Sequence, residues 1–216
     1  MQFHYRIQRF LIRTLTRGYF RLQLIGVENI PSSGPLLLAA NHCSLLDPPL
    51  IGLVVPRQIT YLAKEELFSV PLLGWWLSWI GSKPVARGKG DVRILKTALR
   101  LLKEDKTLLI FPEGTRSVDG KVHTLENGLA WLALKSGVAV TPVYSPDTFR
   151  LMPKGARFPR PGKIRFFVGK AIQPEEMKSA DFHERVQELT NKIESAIKSM
   201  ESVWKTSLTD RKEGND

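Results

Sequence analysis

Two short polar blocks carry the side chains in this chain that are best suited to chemistry. The first is Asn41-His42-Cys43-Ser44-Leu45-Leu46-Asp47, and the second is Phe111-Pro112-Glu113-Gly114-Thr115-Arg116-Ser117. In the first, His42 is a candidate general base. Asp47 is a carboxylate that would fix its tautomer and stabilise the imidazolium. In the second, Gly114 permits a tight turn and Arg116 can hold a phosphate through two parallel hydrogen bonds. Glu113 could hold a substrate hydroxyl or orient Arg116. The block lacks the spacing of a P-loop, which disfavours nucleotide phosphate chemistry. Together the blocks point to an enzyme acting on a phosphorylated substrate.

Five-residue spacing on a continuous helix would set His42 and Asp47 roughly 140° apart. Pro48, however, disfavours the α conformation at Asp47 and suits a first helical position. Asp47 therefore reads as the N-cap of a helix running to about Val55, with His42 in the loop before it, so that the chain can fold back. Ser44 lies outside any Gly-x-Ser-x-Gly elbow, and Cys43 sits in an apolar stretch as a small core filler. With no obvious protein nucleophile, the substrate itself supplies one: a hydroxyl activated by His42.

Both blocks follow apolar runs that read as strands, so both fall at strand ends, where loops host chemistry. The predicted strands are 22–26, 36–40, 59–63, 107–111, 139–144 and 163–168. Residues 91–104 place Ile94, Leu95, Ala98, Leu101 and Leu102 at helical spacing, and 128–136 reads similarly. The alternation predicts an α/β fold with a largely parallel core sheet flanked by helices. Phe182, Val186, Leu189, Ile193, Ile197 and Met200 form the stripe of a closing helix. From about Lys205 the chain is polar and reads as frayed.

Two segments suggest a lipid surface. Residues 3–22 read as an amphipathic helix, with Arg6, Arg9, Arg13, Arg17 and Arg21 opposite Ile7, Leu11, Leu15, Tyr19 and Leu22, which suits an interfacial membrane helix or a surface helix packed on its own domain. Residues 67–80 carry Trp75, Trp76 and Trp79 and no charge. That segment is too short to span a bilayer and suits an interfacial or re-entrant element, part of an acyl pocket, or a buried core helix.

The formal net charge of +11 favours nucleic acid, anionic lipid or an acidic carrier protein as partner. A single cysteine excludes an internal disulfide framework and a cysteine-based zinc site. No run of 18 apolar residues suggests a spanning helix, and a secretory signal is not expected at the N-terminus.

The blocks resemble those of the glycerolipid acyltransferase family, the group containing 1-acylglycerol-3-phosphate acyltransferase. NHCSLLD is similar to its Asn-His-x4-Asp block, and FPEGTRS matches its second block in full. Residues Gly81–Arg87 and Val140–Val143 resemble two further blocks in the expected order. The likeness runs from about Gly26 to Gly169.

The resemblance implies that His42, oriented by Asp47, deprotonates the free hydroxyl of a lysophosphatidate. That hydroxyl then attacks the thioester of acyl carrier protein or coenzyme A. Lys64, Arg87, Glu113, Gly114, Thr115 and Arg116 are implied to bind the acceptor. Neither a metal nor a cofactor is implied beyond the acyl donor, and nucleic acid is not an expected partner. The expected location is peripheral, on the cytoplasmic face of the cell membrane. The expected organisation is a membrane-associating segment at 1–25, a catalytic domain at 26–204 and a polar tail at 205–216. One departure is Glu126, an acid where relatives frequently carry a lysine before the glycine, which leaves the acceptor headgroup open.

Overall fold

The computed structural model describes residues 7, 10–14, 16, 18–79, 82–85 and 92–213, with side chains for all of these except 64, 73, 76, 79 and 207–213. The strands are β1 (Phe20–Ile25), β2 (Leu36–Ala40), β3 (Ile59–Lys64), β4 (Lys83–Val85), β5 (Thr107–Ile110), β6 (Val140–Tyr144) and β7 (Gly162–Val168). The helices are α1 (Asp47–Val54), α2 (Leu73–Trp79), α3 (Val92–Lys103), α4 (Gly128–Ser136), α5 (Asp147–Leu151) and α6 (Phe182–Glu213).

The strands form one seven-stranded sheet in the order β1-β7-β6-β2-β5-β3-β4. Every pairing is parallel except β6 with β7. The expectation of a largely parallel α/β sheet is thus met. β2 sits at its centre and is buried along its whole length, as a strand covered on both faces requires. Leu37 and Ala39 pack into one cluster with α3, α4 and α6, while Leu36, Leu38 and Ala40 pack into the other with α1. Pro142 interrupts β6 where a strand residue would donate an N–H. Its carbonyl accepts from Gly169, and pairing resumes at a bridge between Val140 and Ile172.

Four points depart from the sequence reading. β1 begins at Phe20 and pairs with β7 from its first residue, so Arg21 and Leu22 lie on a strand. Residues 7, 10–14 and 16 are helical, which shortens the predicted 3–22 helix at the turn of Gly18 and Tyr19. Residues 1–6, 8, 9, 15 and 17 of that helix lie outside the described residues. Lys83–Val85, which the sequence reading left outside the sheet, forms its edge strand beside β3. At the other end, α6 continues through Glu213 instead of stopping near Lys205.

The support beneath the first polar block is tied by a buried cluster. Arg165 of β7 donates from Nε and a terminal nitrogen to Asp147 of α5, at 2.8 and 2.7 Å, and lies 3.8 Å over the ring of Trp204 of α6. A bidentate pair sandwiched by an aromatic joins strand and both helices, and fixes α5 beneath the first polar block.

Candidate active site

The parallel pairings put the C-terminal ends of β2, β3, β5 and β6 on one edge of the sheet, and both polar blocks lie there. His42 leaves β2 in a loop and Asp47 begins α1. Their side chains meet with Nδ1 3.0 Å from Oδ2. Asp47 is the first helical residue and Leu46, in right-handed helical conformation, takes the N-cap position, so Asp47 is not the cap that the sequence suggested. Its carboxylate turns back to the loop, where Oδ2 also accepts the N–H groups of Cys43 and Ser44, each at 2.8 Å. Asp47 is fully buried and the His42 side chain is 17% exposed.

An acceptor oxygen on Nδ1 makes that nitrogen the donor and leaves Nε2 with its lone pair, the arrangement a base needs. The imidazole stacks on Phe111, with ring centroids 4.1 Å apart. The loop is braced from below as well. Asn41 exchanges hydrogen bonds with the backbone of Ser145, at 2.7 and 3.2 Å, and the Ser44 hydroxyl donates to the Met152 carbonyl at 2.8 Å.

The second block is joined to the first through the backbone. The Ser117 N–H donates to the His42 carbonyl at 2.7 Å. The His42 N–H in turn donates to Glu113 Oε1 at 2.9 Å, and the His123 N–H donates to Oε2 at 3.2 Å. Glu113 is 8% exposed. Burial raises its pKa above the ordinary 4.5, while the two N–H donors draw it back down. Both carboxylate oxygens are therefore committed to the loops that flank the base, and Glu113 makes no ion pair with Arg116.

The remaining residues expected to bind the acceptor are less constrained. Gly114 turns at φ +70°, with its N–H on the Phe111 carbonyl at 3.1 Å. Thr115 is exposed, and Arg116 is half-buried with no hydrogen bond or ion pair to any described residue. A methyl group added at Gly114 would lie 2.6 Å from Glu126 Oε1, so that carboxylate overhangs the turn. Lys64 ends β3 on the same edge, its side chain outside the described residues, and Arg87 lies outside them altogether.

The two candidate nucleophiles next to His42 are disabled. Cys43 is buried beside Thr148, and burial followed by the charge of Asp47 pushes its thiol up to about 12. Ser44 spends its hydroxyl on Met152 and makes no hydrogen bond to the His42 ring. Among the described residues no group of three or more His, Cys, Asp or Glu side chains could hold a metal ion.

Several contributors were not legible in advance. The brace from Asn41 to Ser145 spans 104 positions, and the N–H of His123 reaches Glu113 only through the turn between them.

Proteins similar to this chain identify its family. A family model described as Acyltransferase matches residues 21–145. The chain is 32% identical over 175 residues to the chloroplastic 1-acyl-sn-glycerol-3-phosphate acyltransferase LPAT1 of Arabidopsis thaliana, covering 79% of this chain and 49% of that protein. It is 41% identical over 110 residues to a lyso-ornithine lipid O-acyltransferase of Pseudomonas aeruginosa, covering 50% of this chain and 42% of that one. The chain spans about half the length of these curated relatives. The crystal structure of the 1-acyl-sn-glycerophosphate acyltransferase PlsC from Thermotoga maritima superposes with a TM-score of 0.75 at 32% identity, covering 91% of this chain and 77% of that one. With a family match over more than half its length and a likeness that extends to the fold, the chain belongs to the acyltransferase family.

Proposed function

We propose that this chain transfers a fatty acyl group from a thioester, acyl carrier protein or coenzyme A, to the sn-2 hydroxyl of lysophosphatidate, giving phosphatidate. The observation that carries the reading is the His42–Asp47 contact, with no nucleophilic side chain hydrogen-bonded to His42 among the described residues. His42 Nε2 takes the proton of the acceptor hydroxyl as the oxygen attacks the thioester carbonyl. The C–O bond forms, the C–S bond breaks, and the imidazolium returns the proton to the departing thiolate sulfur. Asp47 stabilises the imidazolium in between. Arg116, with no partner among the described residues and beside the Gly114 turn, supplies the cation for the phosphate, and Lys64 and Arg87 are assigned to the same task by their place in the family blocks.

The acceptor is a lipid, so the working edge must meet a membrane. No helix among the described residues is long and apolar enough to cross one. Ile7, Phe10 and Leu11, spaced to share one helical face, are exposed, as are Leu72 and Trp75 on the segment after β3. These features support peripheral association, which we place on the cytoplasmic face.

The test is acyl transfer with both donors and a panel of lysolipids. Labelled phosphatidate is the expected product, whereas free fatty acid alone would mean thioester hydrolysis. One observation favours a second acceptor. The Glu126 carboxylate over Gly114 would repel a phosphate dianion and suit a headgroup carrying an ammonium, and one relative is named for lyso-ornithine lipid. Faster transfer to an amine-bearing lysolipid than to lysophosphatidate would select it, and Glu126→Lys should then shift preference back toward lysophosphatidate.

A further inference from the structure

The loop between α5 and β7 serves neither the His42–Asp47 pair nor the Gly114–Arg116 turn, yet it is a built surface. Residues 148–174 contain no Asp or Glu, and neither do residues 1–27. In the loop, Lys154, Arg157 and Arg160 are exposed and make no ion pair with any described residue. Phe158 stands among them, 81% exposed. A soluble surface gains nothing from a bare phenyl ring flanked along the chain by exposed cations. That pairing of an apolar body with a basic collar is what a headgroup–acyl boundary accepts.

The loop is also held in place. The Arg160 N–H donates to the Leu151 carbonyl at 2.8 Å, and the Ala156 N–H to Pro153 at 3.1 Å. Tyr19 Oη donates to the Pro159 carbonyl at 2.6 Å, which ties the loop to the end of the N-terminal helical residues. Pro153, Pro159 and Pro161 each fix a backbone φ, so Phe158 is presented with little ordering still to lose. Because β7 runs antiparallel to β6, its start at Gly162 lies on the same edge as His42, and the loop begins at Met152, whose carbonyl holds Ser44.

We infer that the loop 153–161 is a membrane-insertion element: Phe158 enters the acyl boundary of an anionic bilayer while Lys154, Arg157 and Arg160 hold phosphate headgroups around it. This goes beyond the N-terminal and tryptophan-rich segments, and rests on the membrane part of the proposed function. It seats the open side of the base loop against the lipid that supplies the acceptor.

The test uses the full chain and vesicles of 30% phosphatidylglycerol in phosphatidylcholine, with pure phosphatidylcholine alongside. Removing two cations in R157Q/R160Q should weaken partition onto the anionic vesicles by roughly 25-fold, at about fivefold per cation, with little change on pure phosphatidylcholine. Phe158→Ser should weaken binding to both. As Cys43 is buried, Phe158→Cys offers one accessible thiol among the described residues for a polarity-sensitive dye, whose emission should shift to the blue on the anionic vesicles. Unchanged partition of both variants, or a dye that stays in water on bound vesicles, would overturn the proposal. So would intact vesicle binding with activity lost only for the acyl carrier protein donor, which would make the loop a protein dock. Binding is read without donor or acceptor, so failure here is separate from failure of the acyl-transfer reading.

Discussion

The two halves of the site are built to opposite rules. On the base side, Asp47 is fully buried and its Oδ2 gathers three donors, while His42 is stacked on Phe111 and tied by its backbone to Glu113 and Ser117. Around the Gly114 turn, Thr115 is exposed, Arg116 has no partner among the described residues, and the Glu126 carboxylate leans on Gly114 with no hydrogen bond to a described residue. The contrast is what acyl transfer between two diffusing substrates needs. The group that moves a proton must be held in one geometry before substrate arrives, because misplacement by about 1 Å costs on the order of a hundredfold. The groups that bind charge must be left unsatisfied, because an arginine already paired has little to offer a phosphate.

Each half can be broken separately. His42→Ala should give the largest effect, a loss in steady-state kcat of about 10⁴-fold while vesicle pelleting persists, and retained turnover would remove His42 as the base. Asp47→Asn should cost less, roughly 10³-fold in kcat, because a neutral amide no longer stabilises the imidazolium and is a weaker acceptor for the three N–H donors. Glu113→Gln sharpens the comparison. If Glu113 acts through the backbone of His42, kcat should fall about 10–100-fold with acceptor KM little changed. A KM effect instead would mean contact with the acceptor.

Arg116→Ala should do the reverse, raising acceptor KM by about tenfold, as loss of a charge-assisted bond implies, with kcat nearly intact. The smallest effect is on stability. A Glu113 pKa raised on folding contributes stability below the ordinary 4.5, and that contribution is lost as pH rises through the folded-state value. The urea midpoint of the native chain should therefore fall relative to Glu113→Gln between acid and neutral pH, and a constant difference would contradict the raised pKa.

Much of this was legible because the signals are local. β2 and α4 have the bounds that their apolar runs predicted, and the stripe Val186, Leu189, Ile193 and Ile197 is buried as its spacing required. His42 and Asp47 were found by residue type, and the return of the chain ahead of Pro48 made their meeting plausible. The failures have physical reasons. The arginine period ran past Gly18 and disguised Arg21 and Leu22, which pair with β7 far along the chain. β4 is three residues, two of them exposed, too short for any period to show. The two N–H donors on Glu113 and the carboxylate over Gly114 come from loop packing, to which neither composition nor spacing gives access.

The central claim is that the acceptor hydroxyl, and no group of the protein, attacks the thioester. The most direct measurement is rapid-mixing release of thiol from an acyl thioester, with and without acceptor. The account predicts no burst without acceptor, and release that begins with acceptor and vanishes in His42→Ala. A burst approaching one equivalent of thiol per chain in the absence of acceptor would reveal an acyl-enzyme and contradict it.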